Sequence, residues 1–231
     1  MIVSIERKEH KLPDFLIVGA PRSGTTTLYN CLSQHRYIYM PPEKEPTFFL
    51  AWGEAPFYKD PRYRREASHI VHEVDEYLRL FRAARDSDVI GEASALYLYG
   101  HRTVIPNIKK MYGGKFSRVK IIISLRNPVD RAWSHYWMKR SHLEEMFDFA
   151  DATDPGTVRS RLESQLIPSL DDIGMGKYND AVDAYRNDFP DVKILLFDDI
   201  LRLEKLIGRD LQHWLQTPKP QAGPAPRPGE K

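Results

Sequence analysis

The feature that most constrains this chain is a run of four apolar residues, Phe15-Leu16-Ile17-Val18, that passes without a break into Gly19-Ala20-Pro21-Arg22-Ser23-Gly24-Thr25-Thr26. A short apolar run without alternation fits a strand buried on both faces, which requires covering layers above and below it. The two glycines stand five residues apart and two hydroxyl residues follow, which is the spacing of a P-loop. Glycine lets backbone amides turn inward, and a following helix offers its free N–H groups and positive dipole end to an anion. Leu28, Cys31 and Leu32 supply that helix's apolar spacing. On spacing alone, a plain Gly/Pro turn before a helix remains the other reading.

The same alternation continues down the chain. Val89-Ile90 leads to a strand end at Gly91-Glu92, and Lys120-Ile121-Ile122-Ile123-Ser124-Leu125 is the clearest strand, ending at Arg126. Asn127-Pro128 then starts a helix, with Asn as the cap and Pro at the first helical position. Helices are also expected over 73–84, around Ile105, Ile108 and Met111, near 158–166, over 177–187 and from Leu201 to Trp214, with a strand over 192–197. Strands alternating with helices predict an α/β fold, a P-loop-like three-layer domain with a mainly parallel central sheet and helices on both faces. The expected organisation is a charged N-terminal segment over 1–13, a single domain over 14–216, and a Pro-rich, disordered tail over 217–231. Ligands of such sheets bind at the carboxyl ends of the strands, which singles out Arg22, Glu92 and Arg126.

Composition removes several classes of function. A net charge of only +2 over 231 residues gives no field that demands nucleic acid or an anionic membrane. Cys31 is the single cysteine, so an intrachain disulfide and a cysteine-based metal site are both excluded. No stretch of about 18 apolar residues spans a membrane, and the N-terminus lacks a signal peptide's apolar run. The expectation is a soluble, cytoplasmic protein whose oligomeric state the sequence leaves open.

The loop departs from that of a nucleoside triphosphatase. Thr25 occupies the position of the lysine, the basic residue Arg22 lies inside the loop, and no carboxylate ends the best strand. This argues against Mg²⁺-dependent ATP hydrolysis and for a nucleotide whose charge is met by side chains without a metal. A second motif, Leu125-Arg126-Asn127-Pro128-Val129-Asp130-Arg131-Ala132-Trp133-Ser134-His135-Tyr136, places Arg126 at a strand end and Ser134 two turns into the helix. Both suit a further phosphate, although an arginine at the surface and an ordinary helical serine fit as well.

Together the two motifs resemble the sulfotransferase family, which uses 3′-phosphoadenosine 5′-phosphosulfate (PAPS), and its bacterial and heparan-sulfate-type branch in particular. Lys44-Glu45-Pro46-Thr47-Phe48-Phe49, Gly91-Glu92-Ala93-Ser94 and Gly176-Lys177-Tyr178 also look like family segments, and the likeness covers roughly residues 14–200. The resemblance implies transfer of a sulfuryl group from PAPS to a hydroxyl or amine of a glycan or small molecule, leaving adenosine 3′,5′-bisphosphate. It implies that Arg22, Ser23, Gly24, Thr25 and Thr26 hold the 5′-phosphosulfate and that Arg126 and Ser134 hold the 3′-phosphate. Glu45 is the implied base, with Lys44 and Arg22 beside the reacting group and no metal required. An acceptor must lose a proton as it attacks, and the bridging oxygen gathers negative charge, so a carboxylate and a cation are the residue types needed.

Other readings stay open. Glu45 is also a candidate turn cap or partner of Lys44, and Glu92 an alternative base, an acceptor ligand or a turn ligand. His35 and His135 are bases by type but are assigned structural roles, and Trp133, Tyr136 and Trp137 are expected in the core. Tyr58, Arg62, Tyr63, Arg64 and Arg65 form a basic, aromatic stretch that fits a solvated surface or an acidic glycan. Ala93 stands where glycan-modifying relatives often carry lysine, and Asp199-Ile200-Leu201-Arg202-Leu203 runs almost directly into a closing-helix segment, so the C-terminal part is shortened. Two alternatives follow: a PAPS-binding homologue with impaired catalysis, and a P-loop kinase or nucleoside triphosphatase.

Overall fold

In a computed structural model, the described residues are 1–5, 7–54, 69–164 and 170–197. The expected last helix over 201–214, the shortened C-terminal part, the tail over 217–231 and the whole basic, aromatic stretch of Tyr58, Arg62, Tyr63, Arg64 and Arg65 lie outside them. Five strands make one sheet in the order β4-β5-β3-β6-β7. They are β3 (Phe15–Gly19), β4 (Ile38–Tyr39), β5 (Val89–Ala93), β6 (Lys120–Leu125) and β7 (Val192–Leu196), and every pairing between them is parallel.

All five residues of β3 are buried, as the unbroken apolar run predicts. Alternate side chains of β3 enter different cores. Leu16 and Val18 join one with Val104, Ile105, Ile108, Ala181 and Tyr185, while Phe15 and Ile17 join another with Leu28, Tyr29 and Leu32. The first group brings in α4 (His101–Tyr112) and α8 (Asn179–Asp188), and the second brings in α1 (Thr25–Leu32). This is the three-layer arrangement. The chain turns from β3 toward β4 and β5 on one side, then crosses to β6 and β7 on the other. That leaves a switch point at the carboxyl ends of β3 and β6, where such sheets bind ligands.

Remaining helices are α2 (Phe48–Ala51), α3 (Val74–Arg79), α5 (Pro128–Ser141), α6 (Phe149–Thr153) and α7 (Pro155–Glu163). Asn127 caps α5 by accepting from the N–H groups of Val129 and Asp130, with Pro128 in the first turn. The structure corrects two expectations. The helix predicted over 73–84 stops at Arg79. Of the aromatic trio on α5, Tyr136 is buried while Trp133 and Trp137 are 46% and 42% exposed. The charged N-terminal segment forms an antiparallel hairpin of β1 (Ile2–Ile5) and β2 (Lys8–Lys11). It is held to the domain by buried Val3 and Leu12 and by the Met1 ammonium, which pairs with Asp14 at 2.7 Å.

Gly19 is fixed by close approach. At φ 154°, a Cβ there would lie 2.5 Å from Leu98 Cβ and 2.8 Å from the Ala95 carbonyl oxygen. Gly19→Ala is therefore expected to lose about 1–3 kcal/mol of stability from overpacking, in addition to backbone strain. Gly53→Ala, at φ 80° with nothing within 4 Å, carries the backbone strain alone. Urea denaturation of both variants checks the difference.

Candidate active site

The loop between β3 and α1 is tied to β6 from below. The Ala20 N–H donates to the Ser124 carbonyl at 2.6 Å, and the Ser124 hydroxyl donates to the Ser23 carbonyl at 2.5 Å. Ser23 is fully buried, its hydroxyl directed at the Pro21 carbonyl 3.5 Å away, and Thr25 is also buried. Those side chains shape the loop from within, whereas Arg22 and Thr26 are exposed. Gly24 adopts φ 82° as the N-cap of α1, and the first turn of α1 has no side-chain cap and no acidic residue. The positive end of that helix is thus left to whatever anion enters the loop.

Arg22 sits at φ 63° and leans toward α5. Its Nε donates to Ser134 Oγ at 3.1 Å, and its Nη1 approaches Met138 Sδ at 3.5 Å. Arg126, from the end of β6, donates from Nη1 to the Arg22 carbonyl at 3.4 Å and lies over the Phe197 ring at 4.8 Å. Tyr178 supports this residue from behind, its hydroxyl donating to the Arg126 carbonyl at 3.1 Å. Burial and then the neighbouring Arg126 charge lower the pKa of Arg22. Neither guanidinium forms an ion pair among the described residues. Arg22, Arg126 and Ser134 therefore come together, although 112 positions separate Arg22 from Ser134.

Glu45 and Lys44 stand at the next strand end. Glu45 Oε2 accepts from the Ala95 N–H at 2.7 Å, its own N–H donates to the Ala93 carbonyl at 3.0 Å, and Oε1 pairs with Lys44. The Glu45 side chain keeps 37% of its surface exposed. Ala95 also borders Gly19, so this carboxylate lies close to the start of the loop.

Glu92 is a different matter. It is fully buried and accepts three hydrogen bonds, so it does not reach an acceptor. Of the two histidines, His35 is exposed, whereas His135 is buried against Asp172 with Nδ1 2.5 Å from Oδ1. Burial keeps its pKa below the ordinary value despite that carboxylate. Arg131, fully buried, also pairs with Asp172 and fastens α5 to the segment before the turn Gly174–Gly176. Sequence reasoning did not anticipate Phe197 beneath Arg126, although Phe197 immediately follows β7 and strand ends are where ligand residues gather. Nor did it anticipate Tyr77 and Tyr97, the partners of Glu92, which come from other elements.

Burial raises the Glu92 carboxyl from 4.5 to about 7, against the three hydroxyl bonds that favour its ionised form. The folded protein therefore binds a proton in a range where the unfolded chain has released it. This contribution is full below pH 4.5 and is lost as pH rises toward 7. It amounts to something on the order of 3 kcal/mol. Glu92→Gln is expected to flatten that fall, read from urea midpoints at pH 5 and pH 8.

Known proteins resemble the chain in sequence and in fold. A family model described as "Sulfotransferase family" matches residues 13–167. The chain is 28% identical over 207 residues to the bovine (Bos taurus) bifunctional heparan sulfate N-deacetylase/N-sulfotransferase 2, an alignment covering 85% of this chain and 21% of that protein. It is 27% identical over 144 residues to the membrane-associated sulfotransferase kil1 of Dictyostelium discoideum, covering 60% of this chain and 26% of that one. The chain thus spans about a fifth to a quarter of the length of these relatives. The crystal structure of a sulfotransferase from Alicyclobacillus acidocaldarius superposes with a TM-score of 0.74 at 28% identity, covering 89% of this chain and 100% of that one. No helix among the described residues is long and apolar enough to cross a membrane. The chain belongs to the sulfotransferase family.

Proposed function

We propose that the protein transfers a sulfuryl group from PAPS to an amine or hydroxyl of a saccharide. The observation that carries this reading is the junction of Arg22, Arg126 and Ser134 over an uncapped helix N-terminus. Two guanidiniums with no acidic partner among the described residues, one of them bonded to a serine hydroxyl, suit a ligand with two separate anionic groups. A donor with a 3′-phosphate and a 5′-phosphosulfate has that form. When bound, it supplies an activated sulfuryl group and a leaving phosphate.

Each residue then has a defined task. The amides of the loop and the first turn of α1 accept the 5′ anion, while Arg22 offsets charge that gathers at the bridging oxygen. Arg126 and Ser134 hold the 3′-phosphate, and the Phe197 ring keeps the Arg126 guanidinium flat. Glu45 takes the proton from the attacking nitrogen or oxygen, with Lys44 beside it to keep the carboxylate oriented. The reaction needs no metal, since arginine and lysine charges serve where a cation would. A saccharide acceptor is favoured by the likeness to the bifunctional heparan sulfate N-deacetylase/N-sulfotransferase 2. The pairing of an accessible carboxylate with a lysine suits an acceptor that must lose a proton.

Calorimetry with adenosine 3′,5′-bisphosphate separates the parts. Arg126→Ala is expected to weaken binding about 10- to 100-fold, the value of one charge-assisted contact. Glu45→Gln is expected to leave that binding unchanged while lowering turnover about 10²- to 10⁴-fold. Turnover is followed as bisphosphate release from PAPS, with heparan sulfate stripped of its N-sulfates as the acceptor probe. Unchanged bisphosphate affinity in Arg126→Ala overturns the donor assignment, and full turnover in Glu45→Gln overturns the base.

A further inference from the structure

The segment that carries Glu45 has an unusual backbone. Glu45 and Thr47 stand at φ 61° and 54°, left-handed values that a side chain disfavours by roughly 1–2 kcal/mol each. Such a conformation persists only where surrounding contacts specify it. Some of those contacts are local: the Thr47 hydroxyl donates to the Glu45 carbonyl at 3.0 Å, and Ala93 and Ala95 bind the main chain and carboxylate of Glu45. The remaining two come from behind, through hydroxyls. Ser94 Oγ accepts from the Thr47 N–H at 3.0 Å, and the Tyr97 hydroxyl accepts from the Phe49 N–H at 3.1 Å.

A hydroxyl has one proton to give, and its direction decides where its lone pairs point. Both of these hydroxyls give that proton to Glu92. Ser94 donates to Oε1 at 2.7 Å and Tyr97 to Oε2 at 3.1 Å, where Tyr77 also donates at 3.0 Å. The carboxyl of Glu92 is thus the common acceptor that turns the lone pairs of Ser94 and Tyr97 toward the backbone of residues 47 and 49. We infer that Glu92 is a positioning residue: through the hydroxyls of Ser94 and Tyr97 it holds the left-handed 45–49 segment, and so holds the Glu45 carboxylate where the acceptor is deprotonated. It touches neither donor nor acceptor, because it is fully buried. The inference rests on the reading of Glu45 as the base.

The arrangement has two protonation states with different order. Ionised, Glu92 accepts from all three hydroxyls. Protonated, it must itself donate to one of the three oxygens, and that oxygen's own proton then loses its acceptor. The order of the 45–49 segment is therefore complete only when Glu92 is ionised. The groups facing it are Tyr77 on α3, Tyr97 and Ser94 beyond β5, Tyr112 on α4, Tyr185 on α8 and Glu45. Burial pushes all four tyrosines well above their ordinary value, so they stay neutral. Glu45 is the one other carboxylate in this set, and its charge adds to the burial that raises Glu92 to about 7.

Turnover of PAPS, measured from pH 5.5 to 9 with N-desulfated heparan sulfate and separately with water alone as the acceptor, tests the inference. The wild-type kcat is expected to rise through a limb near pH 7. Glu92→Gln is expected to lose that limb and to lower kcat about 10-fold or more, with the KM for PAPS and the bisphosphate affinity within about twofold. Tyr97→Phe and Ser94→Ala keep the carboxyl and remove one arm each. They are expected to lower kcat severalfold, and they decide the matter if Glu92→Gln does not fold. Wild-type kcat and an intact limb in Glu92→Gln, or wild-type kcat in both single-arm variants, overturn the inference. Full turnover in Glu45→Gln instead removes the base beneath it, which is a separate failure read in the same assay.

Discussion

Ser124 makes two bonds on which the rest of the site depends. Its carbonyl receives the Ala20 N–H and its hydroxyl grips the Ser23 carbonyl, so the end of β6 holds the turn out of β3 at both of its ends. On the proposed reading, a loop that aims several amides at one anion has to be specified from beneath, since its upper surface is kept for the ligand. Here the specification is buried and polar, with Ser23 and Ser124 both inaccessible and mutually bonded. In a low-dielectric setting, such bonds are costly to break and fix geometry. From that fixed turn, the helix end of α1 and the arginines on either side take their places.

The same strand that braces the loop also delivers Arg126, one residue beyond Leu125. The parallel sheet explains why this suffices. Every strand runs the same way, so the residues after β3, β5, β6 and β7 emerge on one edge. Four segments far apart in sequence thereby bring the turn over 19–26, Ser94 and Ala95, Arg126 and the Phe197 ring to one edge of the sheet. The register makes this concrete, with Gly19 opposite Ile123 and Leu125 opposite Leu196.

Much of what depends on local order was legible in the sequence. The buried strand from Phe15, the helix that follows Gly24, and the Asn127 cap with Pro128 all follow from neighbouring residue types, and all appear as read. Contacts between distant segments were not legible. Helical spacing put Trp133, Tyr136 and Trp137 on related faces but could not say which face the core would cover, and only Tyr136 is buried. The hairpin at residues 2–11 escaped notice because Lys8-Glu9-His10-Lys11 has no apolar side; burial of Val3 and Leu12 secures it. Glu92 at a strand end suggested a reacting group, yet Tyr77, fifteen positions away, and the hydroxyls of Ser94 and Tyr97 enclose it. The proximity of Arg22 to Ser134 joins what the motifs presented as two separate half-sites.

The places where this protein departs from local preference are concentrated at the site. Arg22, Glu45 and Thr47 adopt left-handed backbone without being glycine. The Arg126 charge stands close enough to Arg22 to lower its pKa, with no carboxylate paired to either arginine among the described residues. Glu92 keeps a carboxyl in the core at the expense of stability above neutral pH. Each of these opposes folding, and each is held by packing and hydrogen bonds from the sheet edge rather than relieved. On the proposed reading, an anion between the arginines removes the repulsion, and a base fixed in one conformation loses little freedom when an acceptor arrives. On that reading the strain and the like charges have the same physical meaning: folding holds apart or holds rigid what a doubly anionic donor and a proton-bearing acceptor then complete.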